Sequence, residues 1–320
     1  MEYNCLGKTD LRVSNVSFGA SALGGVFRDI DEEDGISAVR EALEDGINYF
    51  DVAPAYGGTL AETVLGKALH GIQRERYVLS TKAGKYTEPG SYGNDELNYS
   101  EKRIRQGLDE SMKRLGVDYI DILHLHDFEY QGYSKVDMAF EEGFPTLVKL
   151  KEEGKIGAVS AGIYPMKLWF KVIDEAPVDC ILTHNHYCLN DTRGEELVPM
   201  CHQKNIGMIN ASPFASGLLT GGKVADWHPA NAEERALFEK AANFCEQSGV
   251  PIAKLALQFS LNETPFQTTM FSTARLSSLK RNLEWIEEPY EEELIEEVRR
   301  ILEPVQDHQW NYDAGVDNVK

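Results

Sequence analysis

The chain has 320 residues, 42% of them apolar, which allows a sizeable core in one large domain or two small ones. Its formal net charge of -20 argues against nucleic acid or an anionic membrane surface as a partner, since both call for a basic face. The opening stretch MEYNCLGKTD has no charged-then-apolar signal pattern, and no apolar run reaches the roughly 18 residues of a membrane span. The five cysteines, Cys5, Cys180, Cys188, Cys201 and Cys245, follow no framework spacing, so free thiols and a cytoplasmic location are expected.

Residues 3–19 are expected to form a hairpin that leads into a first strand at 16–20 (VSFGA). Acids open a helix in DEEDGISAVREAL, and strands follow at 47–53 and 77–83. Ser100 and Gly116 bracket the helix SEKRIRQGLDESMKRLG, which leads to a strand at 119–126. FEEGFPTLVKLKEEGK ends on Gly154, another helix stop. Strands at 156–163, 180–187, 207–214 and 268–274 complete the set. EWIEEPYEEELIEEVRR reads as a solvated, amphipathic helical stretch.

Eight strands alternating with helices predict a parallel sheet, and eight is the count of the (β/α)8 TIM barrel. An open doubly wound sheet is the alternative, but FGASALGGVF lacks a GxGxxG that opens a helix. No linker divides the chain, so 1–320 is read as one barrel domain with a core of about 6–303. Residues 304–320 are read as a loose tail.

Active residues of such barrels sit at the carboxyl ends of strands. The stretch NYFDVAPAYGG places Asp51 near the end of the second strand and Tyr56 just after it. Lys82 closes the third strand in STKAG, and His126 closes the fourth in ILHLHD. A phenol with an ordinary pKa of about 10 needs a neighbouring cation to exchange protons near neutrality. Lys82 can supply that cation, Asp51 can keep it charged, and the His126 imidazole can orient a substrate oxygen. The set suits proton transfer at a carbonyl or alcohol oxygen, which is half of a hydride transfer; a nicotinamide supplies the other half.

These residues carry a resemblance to the aldo-keto reductases, NAD(P)-dependent (β/α)8 barrels with an Asp, Tyr, Lys and His tetrad. FDVAPAYGG…AETVLGKAL resembles the family signature at Asp51, Tyr56, Glu62 and Gly66. SPFASGLLTGGK resembles the loop after the family's seventh strand, and the likeness runs from about Leu6 to Trp285. SFGASALGGVF, HYCLND, WHPA and KLALQFSLN are most similar to the L-galactose and L-fucose dehydrogenase branch, whose members oxidise the anomeric carbon of an aldose to a lactone, usually with NAD.

The resemblance implies Asp51, Tyr56, Lys82 and His126 as catalytic residues. It implies cofactor contacts at Gly19, Ala20, Asn185, Ser212, Pro213, Phe214, Gly217, Leu218, Ser272, Ala274, Arg275 and Asn282. The chain departs from the family at Gly162 and Ile163, where Ser-Asn is usual, at His184 for glutamine, at Ala211 for the stacking aromatic, at Ser272 for glycine and at Arg281 for glutamate. Asn185, Ser212 and backbone amides are the candidates to replace the lost carboxamide contacts.

NAD is the expected cofactor, because the position that usually holds a cation for the 2′-phosphate of NADP is Ala274. NADP stays possible through Arg275, Lys280 or Arg281. The expected substrate is a small sugar or aldehyde, with Asp127 among its contacts. Phe27, Tyr92, Phe128 and Trp227 are open between core packing and a substrate wall.

His124 shares a strand face with His126 and reads as a supporting histidine. No metal is expected: on one strand Cys180 and Cys188 would stand about 26 Å apart, which leaves only His184 with His186. The alternatives to a sugar dehydrogenase are an NADPH-dependent aldehyde or ketone reductase and a dinucleotide-binding regulatory subunit. The sequence does not define an oligomeric state.

Overall fold

The computed structural model describes residues 1–88 and 95–312. Eight parallel strands close into a barrel in chain order: Val16–Gly19, Tyr49–Asp51, Val78–Ala83, Ile120–His126, Ile156–Ile163, Cys180–His184, Gly207–Ala211 and Thr268–Ser272. Closure comes from the eighth strand pairing with the first, with Phe271 opposite Phe18 and Ser272 opposite Gly19. The open-sheet alternative is therefore excluded, and the eight expected strands are all present.

The amino-terminal hairpin is also present, as Tyr3–Cys5 paired with Arg12–Ser14. It covers one end of the barrel: Leu6 and Val13 pack with the interior residues Val78, Ile122, Cys180 and Ile209. The opposite end is left to the loops that follow each strand.

The helices start and stop where local chemistry directs. Asp31 accepts from the Glu33 and Asp34 amides to open Glu32–Glu44. Ser100 accepts from Arg103 to open Glu101–Leu115, and Gly116 ends that helix in a left-handed turn at φ 72°. Gly66 lies where Leu60–Leu69 crosses Glu101–Leu115, and a Cβ there would meet the Arg114 carbonyl at 2.3 Å. Beside it Glu62 accepts from Thr81 at 2.7 Å and from Arg114 at 2.6 Å. Both signature residues thus fix helix packing.

Three expectations are corrected. The sixth strand stops at His184, because Asn185 takes φ 61°; the alternation that would place His184, His186 and both cysteines on one face does not continue to Tyr187. The acidic stretch after 283 forms two helices, Leu276–Glu287 and Glu292–Ile301, since Pro289 lacks the amide that would join them. The segment after 303 is not loose through 312. Trp310 is buried, its amide donates to Tyr164 Oη at 3.2 Å, and its indole donates to Glu234 at 3.2 Å. Aromatic contacts with Phe238 and His228 hold it, and none of these partners is near it in sequence.

Candidate active site

Asp51, Lys82 and His126 end adjacent barrel strands, and Tyr56 follows the first of these in a turn. Lys82 Nζ donates to Asp51 Oδ2 at 2.5 Å and to the Val52 carbonyl at 2.9 Å. Asp51 also accepts from Ser80 Oγ at 2.6 Å, and Ser80 in turn contacts the Tyr49 hydroxyl at 3.0 Å. The Lys82 ammonium stands 4.8 Å from the centroid of the Tyr56 ring, and the Tyr56 and His126 rings meet edge-on at 6.0 Å. The structure thus brings all four tetrad residues together.

The electrostatics assign protonation states. Burial works to strip the Lys82 proton, but Asp51 and Tyr56 outweigh it and hold the ammonium more firmly than an ordinary lysine. Burial raises the Asp51 carboxyl, and Lys82 pulls it back. Burial drives His126 down to about 3, with Asp127 opposing and Lys82 and Lys85 reinforcing, so its imidazole is neutral at physiological pH. The expectation that Lys82 brings Tyr56 below its ordinary value is corrected. Lys82 does lower it, but burial dominates, Asp51 and Asp127 add to burial, and the phenol is raised.

His124 is wholly buried. Its Nδ1 meets Ser160 Oγ at 2.8 Å, and its Nε2 faces Asp51 at 3.5 Å, which fits a supporting place behind the tetrad. Tyr99 Oη donates to the His126 carbonyl at 2.6 Å and fixes that strand end.

Asn185, Ser212, Pro213, Phe214, Gly217 and Leu218 follow the sixth and seventh strands. Asn185 Nδ2 donates to Ser216 Oγ at 2.8 Å and to Tyr312 Oη at 3.0 Å, while its buried Oδ1 has no hydrogen-bond partner among the described residues. An acceptor held this way fits the amide of a nicotinamide carboxamide. Gly19 and Ala20 line the end of the first strand, where the Ala20 amide donates to the Asp51 carbonyl at 2.8 Å. Ser272 Oγ is already engaged, by Ser21 Oγ at 3.0 Å and by the Ala22 amide at 2.9 Å. Ala274 packs against the core, Asn282 is buried, and Arg275 is exposed at the start of Leu276–Glu287. Lys280 is paired with Glu41 at 2.7 Å, and Arg281 lies over Trp285, so Arg275 is the cation of the three with neither an ion pair nor a ring contact among the described residues.

Of the aromatic wall candidates, Phe27 and Trp227 are exposed and touch across two loops, with ring centroids 5.9 Å apart. Phe128 is corrected to core: it is fully buried among Tyr99, Phe140 and Phe144. Asp127 turns the chain at φ 48°, so the next side chain points inward. Tyr92 lies outside the described residues. His184 and His186 each pack on the Tyr164 ring, at 5.2 and 4.9 Å.

Sequence reasoning missed Tyr312 and Lys85. Lys85 had a visible signal, a second lysine three residues after Lys82 in STKAGKY. Tyr312 had none, since its site partners lie more than eighty residues away.

A family model described as the aldo/keto reductase family matches residues 15–303. The chain belongs to that family. It is an oxidoreductase of the aldo/keto reductase type, and such enzymes use NAD(P)(H). It is 40% identical to L-galactose dehydrogenase of Arabidopsis thaliana over 97% of both chains. It is 30% identical to D-threo-aldose 1-dehydrogenase of a Pseudomonas species, over 86% of this chain and 90% of that one. Among solved structures, the aldo-keto reductase AKR11C1 of Bacillus halodurans in its holo form superposes with a TM-score of 0.76 at 26% identity, covering 97% of this chain and 98% of that one. No described helix of this aldo/keto reductase is long and apolar enough to cross a membrane.

Proposed function

We propose that this aldo/keto reductase is an aldose 1-dehydrogenase that oxidises the anomeric carbon of a free sugar such as L-galactose or L-fucose to a lactone, with NAD as its preferred cofactor. The observation that carries the reading is the charged wall beside the tetrad: Asp127 Oδ2 lies 3.5 Å from His126 Nε2 and accepts from Lys85 at 2.8 Å. Such a wall suits a polyol and disfavours an apolar aldehyde, which would leave two buried charges without new partners. The two sugar dehydrogenases named above support the same substrate class.

In this reading the anomeric hydroxyl sits between Tyr56 Oη and His126 Nε2. His126, neutral, donates a hydrogen bond that orients the oxygen. The Tyr56 phenolate takes the hydroxyl proton, and the Lys82 ammonium stabilises that phenolate. Asp51 holds the ammonium in place and charged. A nicotinamide dinucleotide, when bound, supplies the hydride acceptor; Asn185 Oδ1 and the loop from Ser212 to Leu218 would hold it.

The test is a screen of free aldoses with NAD⁺ and NADP⁺, followed by the absorbance of the reduced nicotinamide. Oxidation of at least one aldose with NAD⁺ is expected. Preference for NADPH with simple aldehydes, and no aldose oxidation, overturns the proposal in favour of a reductase. Negligible turnover with every pair overturns it in favour of a dinucleotide-binding subunit.

A further inference from the structure

Lys85 and Asp127 form a pair that the tetrad chemistry does not use. Their side chains keep only 11% and 9% of their exposure, yet both lie at the open end of the barrel, where catalysis is expected. Asp127 acts electrostatically on three neighbours there: it raises Tyr56, and it opposes the lowering of His126 and His184. Lys85 is held on three sides, by Asp127 at 2.8 Å, by Asp95 at 3.5 Å and by the Tyr130 ring at 3.9 Å from the centroid. Asp127 itself sits at φ 48°, a conformation that a non-glycine residue rarely adopts and that clusters at ligand sites.

A buried ion pair is weak evidence for stability, since desolvation offsets most of its attraction. A pair placed against a catalytic imidazole by a strained strand end calls for another reason. The reacting oxygen must lie within hydrogen-bond reach of His126 Nε2. Asp127 Oδ2 is 3.5 Å from that same nitrogen, so the carboxylate stands beside the reacting oxygen's place. In an aldose the group next to the anomeric hydroxyl is the hydroxyl on C2.

We infer that Asp127 and Lys85 form a subsite that recognises the C2 hydroxyl of the aldose, Asp127 accepting its proton in a hydrogen bond and Lys85 donating to its oxygen. The inference rests on the aldose 1-dehydrogenase reading above and adds to it the residues that choose the substrate. A site built to bond a hydroxyl rejects the analogue that lacks it far more strongly than an apolar pocket rejects a missing methylene, because the buried polar groups are left without partners. Carboxylate Oδ2 takes the bond from Lys85, so the two residues act as one unit and either substitution should weaken the discrimination.

The experiment measures kcat/KM for the best free aldose and for its 2-deoxy counterpart with NAD⁺, in the wild type, Asp127→Asn and Lys85→Met. The wild type should favour the aldose by about 100-fold or more, a conservative fraction of the discrimination such sites reach. In both variants that ratio should fall to about threefold or less, mostly through loss of the aldose. A change in the His126 proton affinity acts on both substrates alike and cancels in the ratio. Dinucleotide binding, read by quenching of tryptophan fluorescence, should be retained in both variants and shows that they are folded. If the wild type oxidises aldoses but treats the 2-deoxy sugar within about threefold, or if the variants keep the wild-type ratio, the subsite is overturned while the aldose reading stands. If the wild type oxidises no aldose, the underlying reading fails and the subsite with it.

Discussion

Lys82 Nζ lies 2.5 Å from Asp51 Oδ2, two opposite charges almost wholly buried on adjacent barrel strands. Removing one partner leaves the other charge buried and uncompensated, at a cost of about 3–5 kcal/mol. Asp51→Asn should lower unfolding free energy by about 3 kcal/mol, as urea denaturation would show. An unchanged midpoint would mean that solvent reaches the pair.

Tyr56 is the group expected to exchange the substrate proton, from its place over Lys82 and edge-on to His126. Tyr56→Phe should keep dinucleotide binding and lose at least about 10²-fold in kcat, the lower range for a missing general base. Near-normal turnover would reassign the proton transfer to another group.

The oxidation rate should rise with pH, because the phenolate is the competent form and burial raises the Tyr56 phenol. Lys82 is the group that lowers it most, so Lys82→Met removes that pull and should move the basic limb to still higher pH. The check is the pH profile of kcat in both proteins. A limb in the same place, with only a loss of amplitude, would make Lys82 a packing residue.

Cofactor choice turns on the start of the helix Leu276–Glu287. The Asp34 carboxylate already accepts from the Leu276 amide at 3.0 Å, which places a negative charge at a helix amino terminus that otherwise attracts phosphate. A 2′-phosphate arriving near Arg275 meets that carboxylate, and the net charge of -20 adds to the repulsion. NAD⁺ should therefore be preferred in kcat/KM, and Asp34→Asn should improve NADP⁺ relative to NAD⁺. A wild-type ratio favouring NADP⁺ by about tenfold, equal to about 1.4 kcal/mol, would contradict this and point to Arg275 as the phosphate ligand.

Trp310 anchors the end of the described chain against Phe238, His228 and Glu234. Trp310→Ala should cost about 3 kcal/mol or more of stability, the usual range for a buried large aromatic. It should also raise KM for the dinucleotide, because the Tyr312 hydroxyl, two residues on, accepts the Asn185 Nδ2 hydrogen bond that helps to orient that side chain. A variant with wild-type stability and KM would mean that this segment packs elsewhere in solution.

The sequence by itself determined the barrel and the tetrad. Each strand carries a local apolar signal, each of Asp51, Lys82 and His126 falls at a strand's carboxyl end, and barrel closure puts those ends on one face. The tertiary structure alone decided what depends on partners remote in sequence or on a single backbone angle. Phe128 points into the core because Asp127 takes φ 48°, a choice that no periodicity encodes. Trp310 and Tyr312 lie in a polar stretch with no helix or strand pattern, and their burial comes from Tyr164, His184 and His228. Lys280 and Arg275 look alike in sequence, and only the packing of Glu41 against Lys280 separates it from Arg275, which has no ion pair among the described residues. The Tyr56 proton affinity is likewise a matter of environment: Lys82 was legible as its neighbour, but whether burial or the ammonium prevails depends on how completely the folded chain removes the phenol from water.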